Sequence, residues 1–169
     1  GYEDEHFTLV GDDVDADGVP NWWEERYGYD VYSWDDHEHL DPDADALNNK
    51  EECFAYEWGA DPFYKDIFLE FDWTESDTGN VSNKPSLELI DTIKQRFHEH
   101  KINLHIDIGN LGGSDIIPYV PKINHDELID IYWDYFLDND LNNQRKHIFH
   151  YGFLCDTGPG HGFAMIGWG

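Results

Sequence analysis

The chain has 169 residues, of which 40% are hydrophobic and 16% aromatic: enough apolar surface for one ordered core with a small appendage, and too much for wholesale disorder. Against 37 acidic residues there are only 10 Lys plus Arg, a formal net charge of −27 that repels phosphate backbones and anionic membranes and attracts divalent cations. No run approaches the roughly eighteen apolar residues of a membrane span, so neither a nucleic acid nor a membrane is an expected partner. A solvated acidic surface, as in adaptation to high salt, is the competing reason for the acidic excess outside the loops described next.

An internal repeat opens the chain. Asp13-Val14-Asp15-Ala16-Asp17-Gly18 recurs 28 residues later as Asp41-Pro42-Asp43-Ala44-Asp45-Ala46. Each copy leads into a short aromatic and acidic helix, predicted around Trp22–Tyr27 and Lys50–Tyr56, and each helix ends on a glycine, Gly28 or Gly59. An EF-hand-type calcium loop takes oxygen ligands at positions 1, 3, 5, 7, 9 and 12, with glycine at 6. The first copy supplies Asp13, Asp15, Asp17, the Val19 carbonyl, Asn21 and Glu24, with Gly18 at the sixth position. The second supplies Asp41, Asp43, Asp45, the Leu47 carbonyl, Asn49 and Glu52, but has Ala46 where glycine belongs. Alanine there is expected to cost about 1 kcal/mol at a positive-φ position. Two calcium ions are the expected cofactors. With Met165 the only methionine, a Met-rich sensor groove is absent, and bracing an otherwise coreless segment is the expected use.

From Lys65 the pattern changes, which divides the chain into tandem loops over 1–64 and an α+β domain over 65–169. Ile67–Trp73 reads as a mostly buried strand, and Ser86–His100 as an amphipathic helix with Leu87, Leu89, Ile90, Ile93 and Phe97 on its apolar face. Ile102–Gly109 alternates as a second strand, making a βαβ unit with parallel strands. Asp126–Phe136 reads as a helix, and Lys146–Cys155 and Gly162–Ile166 as further strands of a mixed sheet. The sequence starts at Gly1 without a leader and stops within an apolar run, which suggests a processed product or a fragment. Its C-terminal edge would then pair with a missing segment of its own or with copies of itself.

The tandem Asp-x-Asp-x-Asp loops resemble the thrombospondin type 3 and dockerin-like calcium repeats of secreted proteins. The stretches Lys65–Asp72, Asn103–Gly109, Arg145–Tyr151 and Gly162–Ile166 resemble the front of microbial zinc metallopeptidases of metzincin character. That resemblance implies a metzincin-like N-terminal subdomain, with Gly162, Phe163, Ala164, Met165 and Ile166 as a substrate-lining edge strand. It also implies a downstream helix carrying His-Glu-x-x-His. The chain contains no such motif, so no catalytic residue is assigned, and zinc is expected only if a further segment brings its ligands. The resulting expectation is a calcium-stabilised, non-catalytic front portion of a secreted metallopeptidase-like protein. The competing one is a calcium-rigidified extracellular structural or assembly protein.

Two smaller features bear on compartment. Cys53 and Cys155 either form a disulfide, worth about 4–5 kcal/mol in the chain-entropy model, or remain separate thiols. Asn80-Val81-Ser82 is a glycosylation sequon, in keeping with an extracellular or cell-surface location.

Overall fold

The computed structural model describes residues 7–77, 83–121 and 123–155. The protein is built of α-helices and a small open β-sheet, and it divides into two compact units. The first unit runs through Asp66 and also takes in Lys101–Asn103, whose last N–H donates to the Lys65 carbonyl at 2.8 Å. The second comprises Ile67–His100 and the residues from Leu104 onward.

Two short helices organise the first unit, α1 (Asn21–Tyr27) and α2 (Asn49–Phe54), the latter followed by a 3₁₀ turn over Ala55–Trp58. α1 begins after Pro20, whose fixed extended backbone suits a helix entry, and it stops at Gly28, which takes φ 84°. In α2 a capping box does the same work: the Asn48 side chain accepts from the Lys50 and Glu51 amides, and the Glu51 carboxylate accepts the Asn48 N–H at 2.7 Å. Gly59, at φ 102°, closes the 3₁₀ turn. The segment is not coreless, as its loops had suggested. Val19, Trp23 and Cys53 form a buried cluster, with Leu9, Tyr27, Tyr29 and Tyr56 packed against it.

In the second unit β1 (Asp66–Thr74), the helix α3 (Leu87–Glu99) and β2 (Asn103–Asp107) follow one another, with β1 and β2 paired. Then come β3 (Ile116–Ile117), α4 (His125–Ile131) continued by a π-type turn over Tyr132–Phe136, α5 (Arg145–Ile148) and β4 (Phe149–Leu154). β1 is the central strand. It runs parallel to β4 from Phe68↔Phe149 to Trp73↔Leu154, and parallel to β3 at Trp73↔Ile116 and Thr74↔Ile117. Both of these pairings are parallel where a mixed sheet was expected. Trp73, Ile90, Leu104, Ile106 and Ile108 make the core on one side, joined by Phe71, Phe97 and Leu154.

Two readings of the sequence change. The Ser86 hydroxyl caps α3 by accepting the Leu89 N–H, but of the predicted apolar face only Ile90 is buried, while Leu87 and Leu89 are exposed. Lys146–Ile148, expected as the start of a strand, is helical, and the strand begins at Phe149. Gly162–Ile166 and Asn80 lie outside the described residues. Among those described, no helix is long and apolar enough to cross a membrane.

Candidate metal centres

The two acidic loops share their left-handed backbone positions. Ala16 and Ala44 at the fourth positions take φ 60° and 62°, and Gly18 and Ala46 at the sixth take 98° and 83°. In each loop the first aspartate folds back over the turn: Asp13 accepts from the Ala16 and Gly18 amides at 2.8 and 3.1 Å, and Asp41 from Ala44 and Ala46 at the same distances. The fifth aspartate accepts the seventh residue's N–H, Val19 to Asp17 at 3.1 Å and Leu47 to Asp45 at 2.8 Å. These bonds pull the chain into a ring that turns its carboxylates inward. Alanine at the sixth position of the second loop thus adopts the left-handed conformation that glycine takes in the first, at the steric cost of its Cβ.

Inside each ring, acceptor oxygens lie buried without donors. Both carboxylate oxygens of Asp15 and Glu24 are sequestered with no hydrogen-bond partner, as are both of Glu52 and one of Asp43. Glu24 is 0% and Glu52 1% exposed. The Asn49 Oδ1 is also without a donor, because its Nδ2 points instead to Tyr29 Oη and His37 Nδ1. A buried ionised oxygen with no donor costs several kcal/mol unless a proton or a cation meets it. These orphaned atoms belong to positions 3 and 12 of both loops and position 9 of the second. Asn21, at position 9 of the first loop, is engaged differently, its Oδ1 accepting the Val14 N–H at 3.0 Å.

The electrostatics follow. Burial first, then Asp17, Asp15 and Asp13, pushes Glu24 up to about 7. Burial, then Asp66, Asp45 and Asp43, pushes Glu52 up to about 9. Asp43 rises to about 6 for the same reasons, burial leading and Asp45 following. Asp15 and Asp45 are raised as well. A carboxylate cage that raises its own pKa values is one that repels protons poorly and holds a divalent cation well.

Two residues outside the twelve-position windows lie against these cages. Atoms of Asp17, Glu24 and His37 lie within 4.8 Å of one another, all three residues buried; Asp45, Glu52 and Asp66 form the corresponding group in the second loop. Backbone amides tie these additions in place, Asp35 N–H to Asp17 and Asp66 N–H to Asp45. Neither His37 nor Asp66 is signalled by spacing, since both are brought in by folding beyond the loop. The residues Asp13, Asp15, Asp17 and Asp41, Asp43, Asp45 also form two groups of their own, so the aspartate sets predicted from the repeat are brought together.

The second unit holds buried carboxylates of a different kind. Arg145 binds Glu70 through Nε and Nη2, at 2.8 and 2.5 Å, and Asp107 through Nη2 at 2.6 Å. Amides of Gly113, Ser114 and Asp115 donate to Asp107, Glu70 and Asp72, and Tyr151 Oη donates to Asp72 at 2.6 Å. Every one of these acids is met by donors, so the cluster ties β1 to the loops around it. Cys53 and Cys155 are both free thiols, and burial pushes Cys53 up to about 12, which makes it unreactive. Comparison of the chain with protein-family models, with curated proteins and with solved structures finds no match.

Proposed function

We propose that the first unit is a calcium-braced structural module of an extracellular protein, with one ion in each acidic loop. One observation carries this reading: every buried carboxylate oxygen that lacks a donor, among the described residues, sits at a ligand position of the two repeated loops. All of the loop ligands named above are oxygen, they are rich in carboxylate, and a glutamate able to bind through both oxygens completes each set; this is the donor chemistry of calcium. Glu24 and Glu52 would supply the bidentate carboxylates, and Asp13, Asp15, Asp17 and Asp41, Asp43, Asp45 the shorter ones. What the ion supplies is charge neutralisation inside the ring. The extracellular assignment rests on the loops' resemblance to secreted calcium repeats and on the millimolar calcium such loops meet outside cells.

A melting experiment tests the reading. Binding to the folded state alone contributes about 2.7 kcal/mol per ion at a hundredfold excess over Kd. At about 4–8 °C per kcal/mol for a unit of this size, millimolar calcium should raise Tm by at least about 10 °C over chelator. An unchanged Tm would overturn it.

A second reading, the front portion of a secreted zinc metallopeptidase-like protein, draws on the strand-helix-strand order β1–α3–β2 together with the residue resemblance. Among the described residues the second unit contains no group of three metal-ligating side chains, so on that reading zinc would be held by residues further along. The coding sequence beyond Gly169 decides it: a His-Glu-x-x-His helix within some tens of codons is the expected result, and a stop codon there would sink it.

A further inference from the structure

His37 stands between the two loops. Its Nδ1 lies 2.8 Å from Asn49 Nδ2, the ninth residue of the second loop, and its Nε2 lies 3.0 Å from Asp17 Oδ2, the fifth residue of the first. An amide nitrogen only donates, so Nδ1 is the acceptor and the ring's single proton sits on Nε2, facing Asp17. Asn49 spends its two N–H groups on His37 and on Tyr29 Oη, 3.0 Å away, and this turns its orphaned Oδ1 to the other side. The imidazole is 0% exposed and wedged edge-on against Trp23 and Tyr29, at 5.8 and 4.8 Å between ring centres. It cannot swing away without opening the core of the unit.

We propose that His37 is a positioning residue that couples the two cation loops, so that an ion in one strengthens binding in the other; this rests on the cation-binding reading above. An ion held by Asp17 fixes the orientation of that carboxylate. Although it is close to Asp17, Nε2 has no aligned hydrogen-bond partner, so a small rotation of the carboxylate is what completes the contact. The fixed ring then holds the Asn49 amide with Oδ1 toward the second loop. The path runs equally well in reverse, since the coupling between two binding sites is reciprocal. Partners behind a metal ligand typically change affinity by about 10–100-fold, so a coupling of about tenfold is expected.

A double-mutant cycle on the full chain, with calcium alone as the probe and titration calorimetry as the readout, tests it. Glu24→Gln silences the first loop and should weaken calcium binding at the second by about tenfold. In a His37→Leu background, which lacks both ring nitrogens, Glu24→Gln should change the second loop by less than about twofold. His37→Gln, which still offers one acceptor and one donor, should restore part of the coupling. Circular dichroism at saturating calcium verifies the fold, and if His37→Leu does not fold, His37→Ala, which also offers no side-chain donor or acceptor, takes its place in the cycle. Nitrogen NMR of the wild-type ring should show the Nε2–H tautomer. An undiminished Glu24→Gln effect without His37, or no Glu24→Gln effect with it, overturns the coupling while leaving calcium binding intact. Outright loss of calcium at the first loop in His37→Gln would make His37 a direct ligand and also overturn it. No calcium binding in the wild type would instead remove the reading beneath.

Discussion

Glu52 is a buried carboxylate that meets no donor, and burial with its acidic neighbours pushes it up to about 9. Without a cation it should therefore take up a proton on folding, at a cost in stability at neutral pH. Glu52→Gln keeps the shape and removes the charge, so in chelator it should raise Tm; in calcium it should abolish binding at the second loop, since loss of a ligand exceeds the about 10–100-fold cost of losing a partner behind one. A variant destabilised in chelator would contradict this account of the orphaned oxygens. The pH dependence has a definite sign. Glu24 and Glu52 have folded-state pKa values raised from 4.5 to about 7 and about 9, so their protonated forms favour folding. The cation-free protein should be most stable near the unfolded-state value and should lose stability as pH rises through 7 and toward 9. With calcium bound the ionised forms are the stabilised ones, and that decline should vanish. Melts at pH 5, 7 and 9, with and without calcium, would show two curves of different slope; parallel curves would refute the assignment.

At the scale of the element, each loop is a short chain closed on itself, and its twist depends on left-handed residues at the fourth and sixth positions. Ala46 at φ 83° holds a conformation that costs an L-residue about 1–2 kcal/mol, partly offset by about 0.4–1 kcal/mol of unfolded-state entropy that glycine would add. Ala46→Gly should thus stabilise the calcium-loaded unit by roughly 0.5–1 kcal/mol, or about 2–8 °C in Tm. Gly18→Ala should do the reverse, with φ at 98° and a new Cβ 2.5 Å from the flexible Lys50 Cε. If both substitutions prove neutral in differential scanning calorimetry, the loops do not rely on this backbone. These positions were legible because a loop's ligands are local, fixed by alternate aspartates within one twelve-residue window. His37 and Asp66 were not legible, because nothing within a window announces a residue that tertiary folding delivers. Lys146–Ile148 was misread because a short apolar-polar run has no period long enough to separate a helix from a strand. On α3, Leu87 and Leu89 have helical spacing yet remain exposed, so spacing identified the helix but not the width of its buried face.

For the whole molecule, the calcium proposal makes the two units answer differently to cation removal. The first has a core built on Val19, Trp23 and Cys53 and two rings of carboxylates that repel one another; the second has a core built on Trp73, Ile90, Leu104, Ile106 and Ile108, and an Arg145 cluster whose acids are all met by donors. Cation removal should therefore loosen residues 13–24 and 41–52 and leave β1 beyond Asp66, α3 and β4 protected. Hydrogen exchange in calcium and in chelator measures this directly, since local opening is read amide by amide. A general effect of ionic strength must be separated, because a net charge of −27 makes any salt stabilising by screening. Magnesium provides the control. It carries the same charge and screens equally, but it demands a tight octahedron that seven or so converging oxygens do not offer. Protection of the two loops should appear with calcium and stay low with equimolar magnesium. Equal protection by both ions would reduce the loops to a screened acidic surface, and protection spread evenly over both units would show that calcium braces more of the chain than its loops.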